Sequence, residues 1–240
     1  MEGLIGKGEI RIDAYDKVTG KGLFASDYVN QFPVLAHMKA LRSPYAHAKI
    51  KKLDLSKAKA LDGVIYIMTG DEPVDWDQYP KAAIIAKDET LWAGQIVALV
   101  CAETVEIAEQ AVDLIDVEFE KLPAVLDYYA AIDPNPVSVI DPEYETRPLG
   151  FSDRPGDRAS NRVSPNIVGA FKMHSGDVPA AMEMADVIVG GEFWTGKKTA
   201  SPLEAANAIC RYDSDGGITM WSNGAGVHGA GADGVAGSAQ

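Results

Sequence analysis

Residues 94–123 read GQIVALVCAETVEIAEQAVDLIDVEFEKLP, and their patterning decides the fold. Gln95–Ala102 is a short apolar, β-branched run opened by Gly94, the signature of a buried strand. From Thr104 to Ile115 the apolar residues Ile107, Ala108, Ala111, Val112, Leu114 and Ile115 recur at near-helical spacing. Thr104 suits the N-cap, and Glu106 and Glu109 suit the positive end of the helix. Asp116–Glu120 alternates strictly, which predicts a strand with Val117 and Phe119 inward, and Leu122-Pro123 ends it. Working outward, Gly63–Thr69 predicts a second buried strand between Asp62-Gly63 and Gly70-Asp71. The segment around Leu53–Ala60 is a second helix candidate, and residues 34–41 are a further strand candidate. Strand, helix, strand thus occurs twice, which places the chain in the α/β (α+β) class.

Beyond residue 131 the character changes. Residues 132–166 hold Pro134, Pro136, Pro142, Pro148, Pro155 and Pro165, and predict an extended connector with little regular structure. Ordered patterning returns at Ile167–Lys172. Ser175-Gly176-Asp177 then leads into a short helix over Val178–Ala185, with Ala180, Ala181 and Met184 inward, and a strand over Asp186–Phe193. Ala208–Tyr212 and Ile218–Trp221 flank Asp213-Ser214-Asp215-Gly216-Gly217, a hairpin whose turn residues tolerate positive φ. The last stretch, from Ser222, is rich in Gly and Ala and has too few bulky side chains to hold itself in place. The expected organisation is a domain over 8–130, a connector over 131–166, a second segment over 167–223 and a tail over 224–240.

The composition narrows the function. Of 240 residues, 47% are hydrophobic and 24% charged, enough for a soluble core. A formal charge of -13 opposes binding to phosphate backbones and anionic lipid, so neither nucleic acid nor a membrane is expected as a partner. The lysine clusters, Lys49/Lys51/Lys52 and Lys197/Lys198, are short and read as solvated surface. No apolar run is long enough to span a bilayer, and the N-terminus lacks a signal-peptide pattern. Cys101 and Cys210 sit apart in apolar surroundings and read as buried thiols in a reducing, cytoplasmic compartment.

No residue pattern amounts to a complete active site. His37, His47, His174 and His228 are isolated from each other and from cysteine, so no protein-bound metal is expected. His47 can be read as a substrate or cofactor contact, or as a polar side chain bonded to nearby backbone. Gly224-Ala225-Gly226-Val227-His228-Gly229 matches G-x-G-x-x-G, but too little sequence follows to complete a dinucleotide-binding unit. Glu103, Glu106 and Glu109 read as solvated helix charge. Glu204, in the small apolar stretch Ala200–Ala206, needs a hydrogen-bond partner if buried. There is no nucleophile elbow.

One resemblance carries further. Arg11-Ile12-Asp13, Lys17-Val18-Thr19-Gly20, Asp27, Arg42-Ser43-Pro44-Tyr45-Ala46-His47-Ala48-Lys49-Ile50, Gly63-Val64, Gly94-Gln95-Ile96-Val97-Ala98 and Val117–Val125 occur in order. Together they resemble the α/β hammerhead domain of the xanthine dehydrogenase/aldehyde oxidase family, at the start of its molybdenum-cofactor subunit. Gly176-Asp177-Val178 with Ala185-Asp186-Val187, Pro202-Leu203-Glu204 and Gly217–Ser222 extend the likeness into the molybdopterin-binding domain, of which an incomplete mixed α/β segment is expected.

The resemblance implies a segment or split subunit of a molybdenum hydroxylase that oxidises an aldehyde or N-heterocycle with water-derived oxygen. It implies a molybdenum cofactor (molybdopterin) in an assembled complex, with Fe-S clusters and FAD on partner subunits and none bound by this chain alone. Two departures stand out. The family's histidine before x-P-x-E falls on Ala200, and its glutamine after the Trp-Ser strand falls on Ala225, which has no side-chain amide. The glycine-rich loop, the other pterin-binding segments and the catalytic glutamate are expected on partner chains. Any cofactor contact is expected from the backbone of Gly224, Ala225 and Gly226. The rival reading is a non-catalytic scaffold, or an inactive fragment, built on a hammerhead domain.

Overall fold

The computed structural model describes residues 6–72, 85–139, 164–167, 175–196, 198–199 and 201–223. In chain order the elements are α1 (Ala14–Val18), a 3-10 helix (Ala25–Gln31), β1 (His37–Arg42), β2 (Ala48–Asp54), α2 (Ser56–Lys59), β3 (Val64–Thr69) and β4 (Glu89–Thr90). They continue with β5 (Ile96–Ala102), α3 (Val105–Asp113), β6 (Asp116–Lys121), α4 (Tyr128–Ala131), α5 (Val178–Glu183), β7 (Ala208–Tyr212) and β8 (Ile218–Ser222). Two compact units emerge. One is Ala36–Thr195; the other joins the residues before Ala36 to those from Gly196 onward.

The Ala36–Thr195 unit holds two three-stranded antiparallel sheets, ordered β1-β5-β3 and β4-β2-β6. Each strand–helix–strand run changes sheet on the way. β5 feeds α3, which delivers β6 to the second sheet, and β2 feeds α2, which delivers β3 to the first. The result is α+β, and among the described residues the only parallel pairing is an isolated Ile85–Ile96 bridge.

Period-two alternation sets the core. Ala98, Val100 and Ala102 of β5 are wholly buried, as are Ala108 and Ala111 of α3 and Ala58 of α2. Of these, Ala58, Ala98, Val100 and Ala111 pack with Ile67 and Ile115 in one cluster, ringed by Leu41, Leu53, Leu55, Leu61, Val64, Val112 and Leu114. α3 begins where the sequence predicts: Thr104 Oγ1 accepts the Ile107 N–H at 3.2 Å. Gly63, at φ +83°, sits so close to Ile107 that an added Cβ would lie 2.6 Å from its Cδ1.

The expected helix around Leu53–Ala60 shrinks to four residues. Leu53 instead pairs with Val117 across β2 and β6, where cross-strand burial outweighs helix propensity. Asp54 Oδ1 accepts from Ser56 N (3.0 Å) and Ser56 Oγ (2.6 Å) and turns the chain into α2. The lysines of β2 face carboxylates of β6: Lys51 pairs with Glu120 and Lys52 with Asp116, both at 2.7 Å. Lys52 thereby sits between Asp116 and Asp54, which are opposed in register.

In the other unit, β7 and β8 form the expected hairpin, with Gly216 at φ +88°. The Asp213 carboxylate accepts from Thr219 Oγ1 (2.5 Å) and Arg211 Nε (2.6 Å), and both bonds hold its pKa below the usual Asp range. Trp221 of β8 meets Tyr28 and Phe32 at centroid distances of 5.7 and 5.2 Å, fastening the hairpin to the 3-10 helix and the residue after it.

Three expectations are corrected. α5 ends at Glu183, and Ala181 and Met184 are exposed, because no described element covers that face. Asp186–Phe193 is not a strand: Val187, Ile188 and Val189 are exposed, with no ladder partner among the described residues. Cys210 is exposed and Cys101 only half-buried, so these free thiols are not core residues. Cys210 lies on the hairpin face that no described residue covers. Most of Ile167–Lys172 lies outside the described residues, as do Ala200, His174 and His228.

The extended segment after α5 is anchored at its far end. Trp194 meets Tyr128 and Tyr129 at 5.1 and 5.5 Å, and Tyr129 Oη donates to Glu192 Oε1 at 2.9 Å. Bonds to Tyr128 and then Glu192 push the Tyr129 phenol up to about 12. Because the neutral phenol is the favoured form, this contact is at full strength below about pH 10, the ordinary Tyr value, and weakens as pH rises toward the shifted value.

Two outcomes follow from this packing. Ala111→Leu overfills the α3–β5 contact and should destabilise the protein by about 1–3 kcal/mol, read as a lower urea midpoint at unchanged slope. Glu192→Gln should move the ultraviolet titration of Tyr129 down toward the ordinary phenol range; an unmoved titration would show that Glu192 contributes nothing to it.

Candidate functional site

His47 is the sequence candidate with the best-defined surroundings. The turn between β1 and β2 carries it, and a buried hydroxyl pair fixes that turn. Ser43 Oγ and Thr90 Oγ1 lie 3.1 Å apart, and Thr90 Oγ1 donates to the Ala48 carbonyl at 3.3 Å. The imidazole is 11% exposed. Its Nδ1 lies 2.6 Å from the Pro123 carbonyl and its Nε2 2.5 Å from Glu89 Oε1. Ser138 Oγ stands 3.3 Å from Nδ1. Both ring nitrogens are therefore engaged, one by a backbone carbonyl 76 residues on and one by a carboxylate 42 residues on, so the partners are not the nearby backbone that the sequence reading offered. A small open hollow beside the ring is lined by Ala46, Leu91, Ala124, Val125 and Ser138.

Glu204 also has a partner. Its Oε1 accepts the Ala25 N–H at 3.1 Å, at the start of the 3-10 helix and 179 residues away in sequence. Glu109 pairs with Lys39 at 2.6 Å. The Glu106 carboxyl is held below the usual range by its own backbone N–H and by the Thr104 hydroxyl. Among the described residues, no group of three or more His, Cys, Asp or Glu side chains could hold a metal ion.

The positions expected to approach a cofactor, Gly224, Ala225 and Gly226, lie outside the described residues; description ends at Asn223. What leads up to them is well defined. At the open end of the hairpin, Asn207 N–H donates to Asn223 Oδ1 at 3.1 Å. Asn223 Nδ2 and Asn207 Nδ2 both donate to the Ala205 carbonyl, at 2.8 and 3.0 Å. Asn207 Oδ1 is buried and has no hydrogen-bond partner among the described residues. A buried acceptor left unspent at this point fits an N–H-bearing group, such as the pterin that the resemblance implies, although the described residues include no cluster of three or more His, Cys, Asp or Glu to hold its metal. Sequence reasoning did not single out Asn207 and Asn223. The available signal was a pair of asparagines just outside a predicted hairpin, one on each strand. Gln95 was also missed in this respect: it is 1% exposed, its Oε1 accepts from Leu91 N–H at 2.7 Å, and its Nε2 has no partner among the described residues.

Comparison with known proteins places these elements. Residues 19–123 match the α/β hammerhead domain of aldehyde oxidase and xanthine dehydrogenase, and residues 160–232 match the molybdopterin cofactor-binding domain. The nicotinate dehydrogenase large molybdopterin subunit of Eubacterium barkeri is 28% identical over 233 residues, covering 90% of this chain and 46% of that protein. The carbon monoxide dehydrogenase large chain of Afipia carboxidovorans is 28% identical over 88% of this chain and 26% of its own length. Among solved structures, quinoline 2-oxidoreductase from Pseudomonas putida superposes with a TM-score of 0.61 at 26% identity, over 92% of this chain and 27% of that one. The chain thus spans less than half the length of these relatives. Two domain matches in the family's order, a hammerhead fold and large-subunit relatives agree that the chain belongs to the xanthine dehydrogenase/aldehyde oxidase family.

Proposed function

We propose that this chain serves as framework for a molybdenum hydroxylase complex. It supplies the hammerhead domain and the opening part of the cofactor-binding domain. The molybdenum cofactor (molybdopterin) is completed by further protein, and Fe-S clusters and FAD reside on partner subunits. When bound, that cofactor supplies transfer of water-derived oxygen to the carbon of an aldehyde or N-heterocycle. The chain's own residues hold and orient. The backbone of Gly224, Ala225 and Gly226 approaches the pterin, and the Asn207–Asn223 fork fixes where that stretch begins. The observation that carries this reading is the pair of consecutive domain matches, with an unspent buried acceptor at the threshold of the expected cofactor contact.

A second reading, a non-catalytic scaffold on a hammerhead domain, is favoured by Ala200 and Ala225 standing where the family carries histidine and glutamine. Purification of the tagged chain together with the products of neighbouring reading frames separates the two. The framework reading expects a complex containing molybdenum and pterin, with no turnover of aldehyde or purine by the chain alone. A solitary, well-folded, metal-free monomer would overturn it.

A further inference from the structure

Part of the Ala36–Thr195 unit carries charge of one sign only. Residues 124–139 and 175–195 contain Asp127, Asp133, Asp177, Glu183, Asp186 and Glu192, and no Lys, Arg or His. All six carboxylates are exposed, and none forms an ion pair among the described residues. Elsewhere in the unit the pattern is the opposite: Lys39 pairs with Glu109, Lys51 with Glu120 and Lys52 with Asp116. The same two stretches leave apolar surface bare, Leu126 on one and Val189 and Phe193 on the other. They are joined by an aromatic stack. Tyr128, Tyr129 and Trp194 have ring centroids 4.2, 5.1 and 5.5 Å apart, yet each keeps half or more of its surface exposed. Glu192 is bonded to this stack through the Tyr129 hydroxyl.

The β7–β8 hairpin shows what such groups hold. There the Arg211 guanidinium lies 5.3 Å from the Trp221 ring centroid while its Nε meets Asp213 Oδ1 at 2.6 Å, so an indole face and a carboxylate grip one arginine. Trp194 and Glu192 offer the same two groups, and among the described residues no cation meets either. A carboxylate that accepts one hydroxyl has acceptor sites to spare. Arginine suits them better than lysine, because its planar group stacks on a ring and meets a carboxylate through two N–H groups at once. The charge also selects against other occupants. A second copy would bring the same carboxylates to a two-fold contact, and phosphate backbones or anionic lipid would be repelled. Residues 140–163 contain four arginines against five carboxylates, so they offer no surplus of positive charge. The complementary partner is a basic polypeptide that presents arginine among apolar side chains.

We propose that the acidic aromatic surface around Tyr128, Tyr129, Glu192 and Trp194 docks a separate basic polypeptide, with an arginine of that partner held between the Trp194 ring and the Glu192 carboxylate. The surface is built from this chain's own side chains and involves no cofactor, so it stands whether or not the framework reading does.

The test titrates the full chain into a labelled synthetic peptide in which arginine alternates with valine, read by fluorescence anisotropy, with a lysine–valine peptide of the same length beside it. The arginine peptide should bind about fivefold more tightly than the lysine peptide, the scale of one exposed ring–guanidinium contact, and should weaken as salt is added. Glu192→Gln and Trp194→Leu should each weaken it about fivefold. Glu118→Gln removes the same charge from β6 and should leave the affinity unchanged. The urea midpoint of each variant shows that it is folded. Absence of binding, equal affinity for the two peptides, or equal loss in E192Q and E118Q overturns the proposal. Two further outcomes also overturn it. Tighter peptide binding after Arg147, Arg154, Arg158 and Arg162 are all replaced by Lys would assign the surface to this chain's own arginines. A dimer of the chain that W194L dissociates would assign it to a second copy.

Discussion

The close approach of α3 to β5 is the constraint on which the rest of the hammerhead domain depends. Ala98, Val100, Ala102, Ala108 and Ala111 have no exposed surface at all. Alanine at these positions contributes little apolar area itself. Its role is to let helix and strand come near enough for Leu41, Leu53, Leu55 and Ile115 to close around the contact. Since α3 also leads directly into β6, its seating on the first sheet determines where the second sheet begins. Pairing of β6 with β2 then brings Lys51 and Lys52 against Glu120 and Asp116, exposed ion pairs that fix register more than they add stability.

No comparable contact exists in the described part of the cofactor-domain match. Val187, Val189, Phe193 and Leu203 are each more than three-quarters exposed, and side chains of that kind are worth about 1.5–3 kcal/mol apiece when fully buried. What order there is comes from point attachments: Trp221 against Tyr28 and Phe32, Trp194 against Tyr128 and Tyr129, Glu204 on the Ala25 amide. The two domain matches therefore differ physically. The hammerhead closes its own core, while the described cofactor-domain residues leave their apolar surface uncovered.

That difference explains what was legible in the sequence. β3, β5, β6 and the Thr104 cap could be read because period and cap are local and the buried face lies inside this chain. Leu53 was misassigned because its burial depends on Val117, far along the chain. The inward face expected for Ala181 and Met184, and the strand expected over Asp186–Phe193, rest on true apolar patterns that find no cover among the described residues. Contacts of long sequence separation were out of reach altogether: no local pattern connects Glu204 to Ala25, or His47 to partners 42 and 76 residues away. The family likeness was legible because it rests on the order of many short motifs, which survives where individual contacts cannot be inferred.

Most of the polar side chains that invite a chemical reading are already engaged: His47 with Pro123 and Glu89, Glu204 with Ala25, Asp213 with Arg211 and Thr219. A group committed in this way holds the fold and is poorly placed to act on a ligand. Two buried atoms among the described residues break the pattern, Gln95 Nε2 and Asn207 Oδ1. An unpaired buried polar atom costs about 1–3 kcal/mol, a cost that a later partner can offset. Gln95 lies inside the closed hammerhead domain, where an internal water can serve as its partner. Asn207 lies at the open end of the β7–β8 hairpin, hydrogen-bonded to Asn223, the last residue before Gly224. Its unspent acceptor belongs to the part of the chain that also leaves its apolar surface most exposed, so an unpaired polar atom and bare apolar side chains occur together in the described cofactor-domain residues.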